Sequence, residues 1–428
     1  MTATRRTFVG TLAAGIAGFS RGALAADPQK DLALGVIGVG WYGMVDARAA
    51  LKAGGAKIAA ICDVDSEHLD GSAAELHKLQ GERPKTFKQY TDLLAMEGLD
   101  AVIIGTPPQW HALQLIDAVG QSLDVYCEKP LAYDVREGRA MIDAVRKSGR
   151  VVQIGFQRRQ SDAFRQVKQH IASGAAGKIV QVDVQIHYTP NLKPRVTQDP
   201  PATLDWDQWC GPAPKLPYSP EVGHKKWRLE ESTGNGHLVD WGIHNIDAVR
   251  KILDLSMPQR IAATGGNYQS QGKITTPDVL NVQFDFDDLP VMWRHRIWGA
   301  ASYAPETDNG IFFYGEKETI FATDRSWTII PRGKSGERME FKAPSDLGGK
   351  HMAEFLAAVR QEGAASCDIE DAYRSTATVQ LAMIALKSGR PIEWDEASDQ
   401  IVNNPQAAKL LRREYRSPWV HPFSPRPS

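Results

Sequence analysis

Residues 34–43 read Leu34-Gly35-Val36-Ile37-Gly38-Val39-Gly40-Trp41-Tyr42-Gly43, an apolar run that closes on three glycines spaced G-x-G-x-x-G and leads into a helical stretch. In this setting each glycine has a task. Gly38 permits a tight turn, Gly40 lets the backbone approach a pyrophosphate, and Gly43 lets the helix press on the strand, so phosphates meet a helix N-terminus. A second apolar run, Ile58 to Cys62, ends at Asp63, twenty residues past Gly43. A carboxylate at that distance accepts hydrogen bonds from an adenosine ribose. It also repels a 2′-phosphate, and no Arg or Lys follows within Val64 to Glu67. The expected cofactor is therefore NAD, with NADP the less favoured dinucleotide.

From Leu32 to about Phe156 short β-branched runs alternate with amphipathic stretches, the pattern of βαβ units and a parallel sheet. Strands are expected near Leu34 to Ile37, Lys57 to Cys62, Ala101 to Gly105, Asp124 to Cys127 and Val151 to Gly155. Ligands bind at the C-terminal ends of such strands, which places Thr106, Pro107 and the residues after Cys127 at the crevice. After residue 160 the pattern changes. A helix near Phe164 to Ala172 and a strand near Ile179 to Tyr188 lead into a long Pro- and Trp-rich stretch ending at Glu230. Beyond it lie one strong helix, strand-like runs joined by short polar turns, and helices near Met352 to Arg360 and Ala372 to Lys387. The fold class is α/β: a Rossmann domain over residues 31–156, then an α+β domain with a mostly antiparallel sheet over 157–395. Residues 396–428 form a C-terminal segment whose last part, with four prolines after residue 414, reads as an extended tail.

Ahead of the fold, Thr4-Arg5-Arg6-Thr7-Phe8-Val9 precedes a weakly apolar run and Ala23-Leu24-Ala25. Residues 1–26 thus have the layout of a cleavable twin-arginine leader, with the twin-arginine translocase as a transient partner and a periplasmic or other exported destination. That route carries proteins already folded, so a dinucleotide would be loaded before export and kept. A kept cofactor implies a redox-neutral cycle.

The 428 residues include 50 basic and 51 acidic side chains, a balance that leaves no electrostatic footprint for nucleic acid or an anionic membrane. Small-molecule chemistry is the expectation. Cys62, Cys127, Cys210 and Cys367 stand far apart without metal-type spacing and read as buried free thiols.

Two constellations carry chemistry. Read as one α-helix, Gly236 to Leu253 places His237, Asp240, His244 and Asp247 in one narrow arc of an otherwise apolar circumference. Buried His and Asp need partners, and at a cleft they make an acid/base pair. Glu128-Lys129-Pro130 follows a strand end, where a lysine can stabilise negative charge on a substrate oxygen. Trp206, Trp209, Tyr218, Trp227 and Trp241 serve either as core or as flat faces for a sugar ring, with Lys226 and Arg228 beside them for hydroxyls.

Together, the glycine fingerprint, Cys62-Asp63, Thr106-Pro107 with His111, Glu128-Lys129-Pro130 and Asp240-Trp241-Gly242-Ile243-His244 resemble the Gfo/Idh/MocA oxidoreductase family across most of the mature chain. The resemblance implies a homo-oligomer, often through the open sheet. It also implies that Lys129, Asp240 and His244 match the catalytic residues of its sugar and cyclitol dehydrogenases. The cofactor set is then Gly38, Gly40, Trp41, Tyr42, Gly43, Asp63, Thr106, Pro107, His111, Glu128 and Lys129. Lys129, Trp227, Arg228, Asp240 and His244 would face the substrate. His244, with an ordinary pKa of about 6.5, is the expected general base. No metal is expected, although His237 beside Asp240 and His244 raises that alternative. The expected activity is an exported oxidoreductase moving hydride between tightly bound NAD and a ring hydroxyl. A glycosidase or epimerase that oxidises its substrate transiently, and a non-catalytic binding protein, are the alternatives.

Overall fold

The computed structural model describes residues 30–423 except 225, 303–305, 307–308 and 334–335, so the leader expected over residues 1–26 lies outside the described residues. Six strands, β1 (Leu32–Ile37), β2 (Ala56–Cys62), β3 (Lys85–Phe87), β4 (Ala101–Ile104), β5 (Asp124–Glu128) and β6 (Val152–Gly155), form a parallel sheet in the order β3-β2-β1-β4-β5-β6. That is the Rossmann order, and its direction reverses between β1 and β4. Strand β1 is buried at every position, which explains its unbroken apolar sequence. Strand β3, Lys85-Thr86-Phe87, escapes sequence reading because three partly exposed residues carry no period.

At the switch point, Gly38 adopts φ +85°, and a Cβ there would lie 2.8 Å from the Thr106 amide nitrogen. A Cβ on Gly43 would lie 2.0 Å from the Gly38 carbonyl oxygen. These two positions fix how closely helix Tyr42–Ala53 approaches β1 and β4.

The second domain is a ten-stranded sheet made of β7 (Ile179–His187), β8 (Arg260–Gly266), β9 (Val279–Phe286), β10 (Leu289–Arg296), β11 (Asn309–Gly315), β12 (Glu318–Ala322), β13 (Ser326–Pro331), β14 (Met339–Lys342), β15 (Ile392–Asp395) and β16 (Gln400–Ile401). Among its pairings, β7 with β10 is parallel and the rest are antiparallel. Helices Asp162–Ala172, Ile243–Leu253 and Ile369–Ser388 pack against it. Trp293, Phe284 and Phe313 are fully buried in the layer between.

The chain then crosses back. Helix Leu347–Val359 sets Met352, Phe355 and Leu356 into the core formed by Leu34, Val36 and Met44 of the first domain. The supposed extended tail is also docked as far as Phe423. Arg413 Nε lies 3.0 Å from Glu137 Oε1, and buried His421 Nε2 lies 3.1 Å from Asp134 Oδ2. Arg416 Nη1 donates to Asp207 Oδ1 at 2.9 Å, and Trp419 meets Trp110 edge-on. These partners outweigh the prolines as organisers of the segment. All four cysteines are buried free thiols.

Two alanine substitutions should have opposite signs in urea unfolding. Gly43→Ala forces backbone apart and should cost about 1–3 kcal/mol. Gly71→Ala, in helix Ser66–Gln80 with nothing within 4 Å of the new methyl, should gain about 0.5–1 kcal/mol. A stable Gly43→Ala protein would refute the close-approach account.

Candidate active site

Gly38, Gly40, Trp41, Tyr42, Asp63, Thr106 and Pro107 line a cleft at the switch point. Helix Tyr42–Ala53 aims its N-terminus here with no acidic residue in its first turn, an arrangement suited to phosphate. Asp63 is anchored by its own backbone surroundings: Oδ2 accepts from the Val39 amide at 2.8 Å and Oδ1 from the Asp65 amide at 2.9 Å. The carboxylate is thereby fixed at the cleft wall. His68 and His224, which sequence reading passed over, line the same end.

Of the remaining expected cofactor residues, Glu128 and Lys129 line the adjoining cavity, and two reach neither. Gly43 acts only through packing. His111 is completely buried, with Nδ1 2.8 Å from the Pro130 carbonyl and Nε2 2.8 Å from that of Thr106. It ties the loop after β4 to the turn after β5, and burial holds its pKa down at about 4.

A roof closes the cleft from the second domain. The Ser66 amide donates to the Thr203 carbonyl at 2.9 Å, the Asp205 amide to Val64 at 3.0 Å, and Trp110 Nε1 to Gln208 at 3.0 Å. Trp206, Trp209, Tyr218 and Trp227 form a small core of their own with Leu204 and Cys210, the first two rings stacked at 4.5 Å. Most of that aromatic set therefore packs, leaving Trp227 and the exposed Trp241 at the substrate side. Lys226 is paired with Glu221 and faces neither cavity.

Beyond Trp41, Tyr42, Gly105 and Thr106 the cleft runs into a second cavity. Lys129, Asp240, His244 and Arg228 meet there. Lys129 Nζ donates to Asp240 Oδ1 at 2.9 Å and to the Asp240 carbonyl at 2.7 Å, while Arg228 Nε lies 3.1 Å from Oδ2. The guanidinium of Arg228 also stacks over Trp227 at 4.2 Å and Trp41 at 5.0 Å.

The expected four-residue stripe does not form. Residues Leu238–Gly242 make a π-turn before helix Ile243–Leu253 begins, and a π-turn carries more residues than an α-turn. Asp240 and His244 face the cavity. His237 instead bonds the Tyr188 hydroxyl through Nδ1 at 2.8 Å, and Asp247 turns to Arg159 Nη2 at 2.6 Å and to Ser375. Among the described residues, the groups of His, Asp and Glu whose ligand atoms lie within 4.8 Å of one another are Asp65–His68–His224 and Asp134–Glu137–His421; His237 is in neither.

Burial opposes the charge on Asp240, but Lys129 and Arg228 overcome it and hold the carboxyl below its ordinary range. The imidazole of His244 departs from expectation. Burial, then the positive charges of Lys129 and Arg158, push its pKa well below the ordinary value. Its Nδ1 is buried without a partner, so Nε2 is the nitrogen open to the cavity. The ring stands there neutral.

Gln157, Arg158 and Asp324 also line the cavity. The first two follow β6 and were within reach of the strand-end rule applied at Cys127. Asp324 sits between β12 and β13 and comes near only through folding; it lies 3.4 Å from Arg158 Nε.

Profiles of known families match both halves: "Oxidoreductase family, NAD-binding Rossmann fold" over residues 32–156, and "Oxidoreductase family, C-terminal alpha/beta domain" over 164–421. The chain belongs to the Gfo/Idh/MocA oxidoreductase family. It is 24% identical over 372 residues to inositol 2-dehydrogenase of Rubrobacter xylanophilus, covering 85% of this chain and 93% of that one. It is 25% identical to the rhizopine catabolism protein MocA of Rhizobium meliloti, over 60% of this chain and 68% of that one. Its fold matches levoglucosan dehydrogenase solved with NADH and levoglucosan, with a TM-score of 0.66 at 17% identity over 85% of this chain and 99% of that one. A second match is the WlbA dehydrogenase from Bordetella pertussis solved with NADH and UDP-GlcNAcA, with a TM-score of 0.66 at 18% identity over 86% and 99%. This Gfo/Idh/MocA protein is thus an oxidoreductase whose first domain binds NAD.

Histidine NMR should find the His244 imidazole still neutral when pH falls through its ordinary pKa of about 6.5. Arg158→Gln, which removes one of the two cations, should raise its midpoint. A wild-type midpoint near the ordinary value would contradict the electrostatics described above.

Proposed function

We propose that this protein oxidises a ring hydroxyl of a sugar, sugar derivative or cyclitol, using an NAD that stays bound. The observation that carries the reading is the meeting of Lys129, Asp240 and His244 in a cavity continuous with the dinucleotide cleft. Bound NAD would supply the hydride acceptor. Lys129, locked to Asp240, offers its ammonium to the substrate oxygen and stabilises the negative charge that grows there. His244 Nε2 takes the hydroxyl proton. Arg228 and Trp227 wall the cavity, and the exposed Trp241 offers a face to the ring. A scaffold that only binds ligands has no need of such a converging set.

The roof and the docked tail support retention of the cofactor, because Arg413, Arg416 and Trp419 hold the roof and the loop after β4 together. Retention in turn favours a redox-neutral cycle, either two-substrate exchange or the transient oxidation of an NAD-dependent glycosidase or epimerase. Export by the twin-arginine route is part of the same proposal, supported by Arg5, Arg6 and the Ala23-Leu24-Ala25 site. Assembly into a homo-oligomer through the outer face of the large sheet, where Gln181, Gln283, Arg294 and Tyr314 are partly exposed, completes it.

Purified protein should carry NAD through gel filtration. Sugars, cyclitols and aryl glycosides should be tested for reduction of that NAD or for cleavage without net reduction. His244→Ala should lower turnover by about 10²–10⁴ while nucleotide remains bound. Unchanged turnover would end the assignment. Deletion after Leu411 should speed nucleotide release, and an unchanged release rate would remove the tail from the retention mechanism.

A further inference from the structure

At the wall of the reaction cavity lie two carboxyl groups to which the roles given above to Lys129, Asp240 and His244 assign no part. Asp46, on helix Tyr42–Ala53, hydrogen-bonds Glu128 at the end of β5, and the two are 3% and 5% exposed, so water cannot solvate a charge on each. Two carboxyls in contact at so dry a place share a proton. Gln157 Nε2 donates to Glu128 Oε1 at 2.5 Å, fixing one half of the pair, while Asp46 Oδ2 is buried with no partner.

The groups facing the pair account for its charge. Tyr42, Tyr126 and Cys127 surround it, and burial pushes all three upward, so they are neutral. Lys129 and Arg228 face Glu128 but are both paired with Asp240. Burial, followed by the Glu128 charge, pushes Asp46 well above the carboxylate range. Burial lifts Glu128 to about 7 against the pull of Lys129. The pair therefore holds one proton, with its second site balanced near neutrality. Glu128 lines the cavity beside Tyr42, Gly105 and Thr106, at the junction with the cofactor cleft.

We infer that the Asp46–Glu128 pair takes up a second proton when nicotinamide at this junction passes from its cationic oxidised form to its neutral reduced form. The inference rests on the oxidoreductase reading for its place in a reaction. A secondary alcohol, NAD⁺ and the singly protonated pair give a ketone, NADH and the doubly protonated pair. The C–H electron pair leaves as hydride to nicotinamide, the O–H proton is accepted first by His244 and ends on Glu128 across the same cavity, leaving His244 neutral again, and the total charge is zero on both sides. Opposite charges at the junction attract strongly in a low dielectric, and loss of one strands the other. Protonation of Glu128 removes the stranded charge. Hydride and proton then both remain inside the protein, available for return in a redox-neutral cycle.

The test uses nucleotide-depleted protein titrated with NAD⁺ and with NADH across neutral pH. The NADH complex holds one more proton, so the ratio of NADH to NAD⁺ affinity should fall by up to about tenfold per pH unit as pH rises. Asp46→Asn and Glu128→Gln should each flatten that slope. The infrared difference between NADH-loaded and NAD⁺-loaded protein should show a gained protonated-carboxyl stretch that Glu128→Gln lacks. A pH-independent ratio in the wild-type protein overturns the inference, as does a slope that survives in both variants. If the slope is found but no sugar, cyclitol or glycoside is turned over, the functional reading fails and the proton pair stands. Turnover with a flat ratio is the converse.

Discussion

The Asp240 carboxylate, buried between Lys129 and Arg228, is the interaction on which the site depends. Lys129 comes from the end of a Rossmann strand, while Arg228 and Asp240 come from the second domain. A buried carboxylate is tolerable only with such partners, and removing both would leave an uncompensated charge costing about 3–5 kcal/mol. The same ion pairs that join the domains also hold the ammonium at the cavity, where its charge adds to burial and to Arg158 in keeping His244 neutral. Domain closure and chemical competence are thus one electrostatic arrangement.

Around that centre the chain repeatedly crosses between domains. The roof over residues 203–228, helix Leu347–Val359 and the docked tail each return to the Rossmann unit. Each crossing shields the dinucleotide cleft from water or braces a loop that lines it. The nucleotide site is therefore a property of the whole chain, although its fingerprint occupies ten residues.

The Rossmann order, the glycine turn and Asp63 were legible because they depend on local rules: period, turn conformation and fixed spacing within one βαβ unit. Lys129 was legible for a similar reason, as a residue just past a buried strand. The helical stripe was misread in part because a wheel assumes uniform α-geometry, and the π-turn at Leu238–Gly242 sends His237 and Asp247 to other partners. His111 was misassigned because a motif position does not reveal whether an imidazole faces a ligand or two carbonyls. The pKa of His244 was hidden as well, since the cations that lower it come from β5 and from the turn after β6.

By itself, then, the sequence determined the dinucleotide fold and the placing of Asp63 and Lys129 at strand ends. These rest on contacts between residues close in the chain. Only the tertiary structure decided that Lys129, Asp240 and Arg228 form one charge network, that the aromatic stretch is chiefly a roof, and that Asp46 meets Glu128. Those outcomes join residues tens to hundreds of positions apart, and burial sets their charge states only once both domains have closed around them.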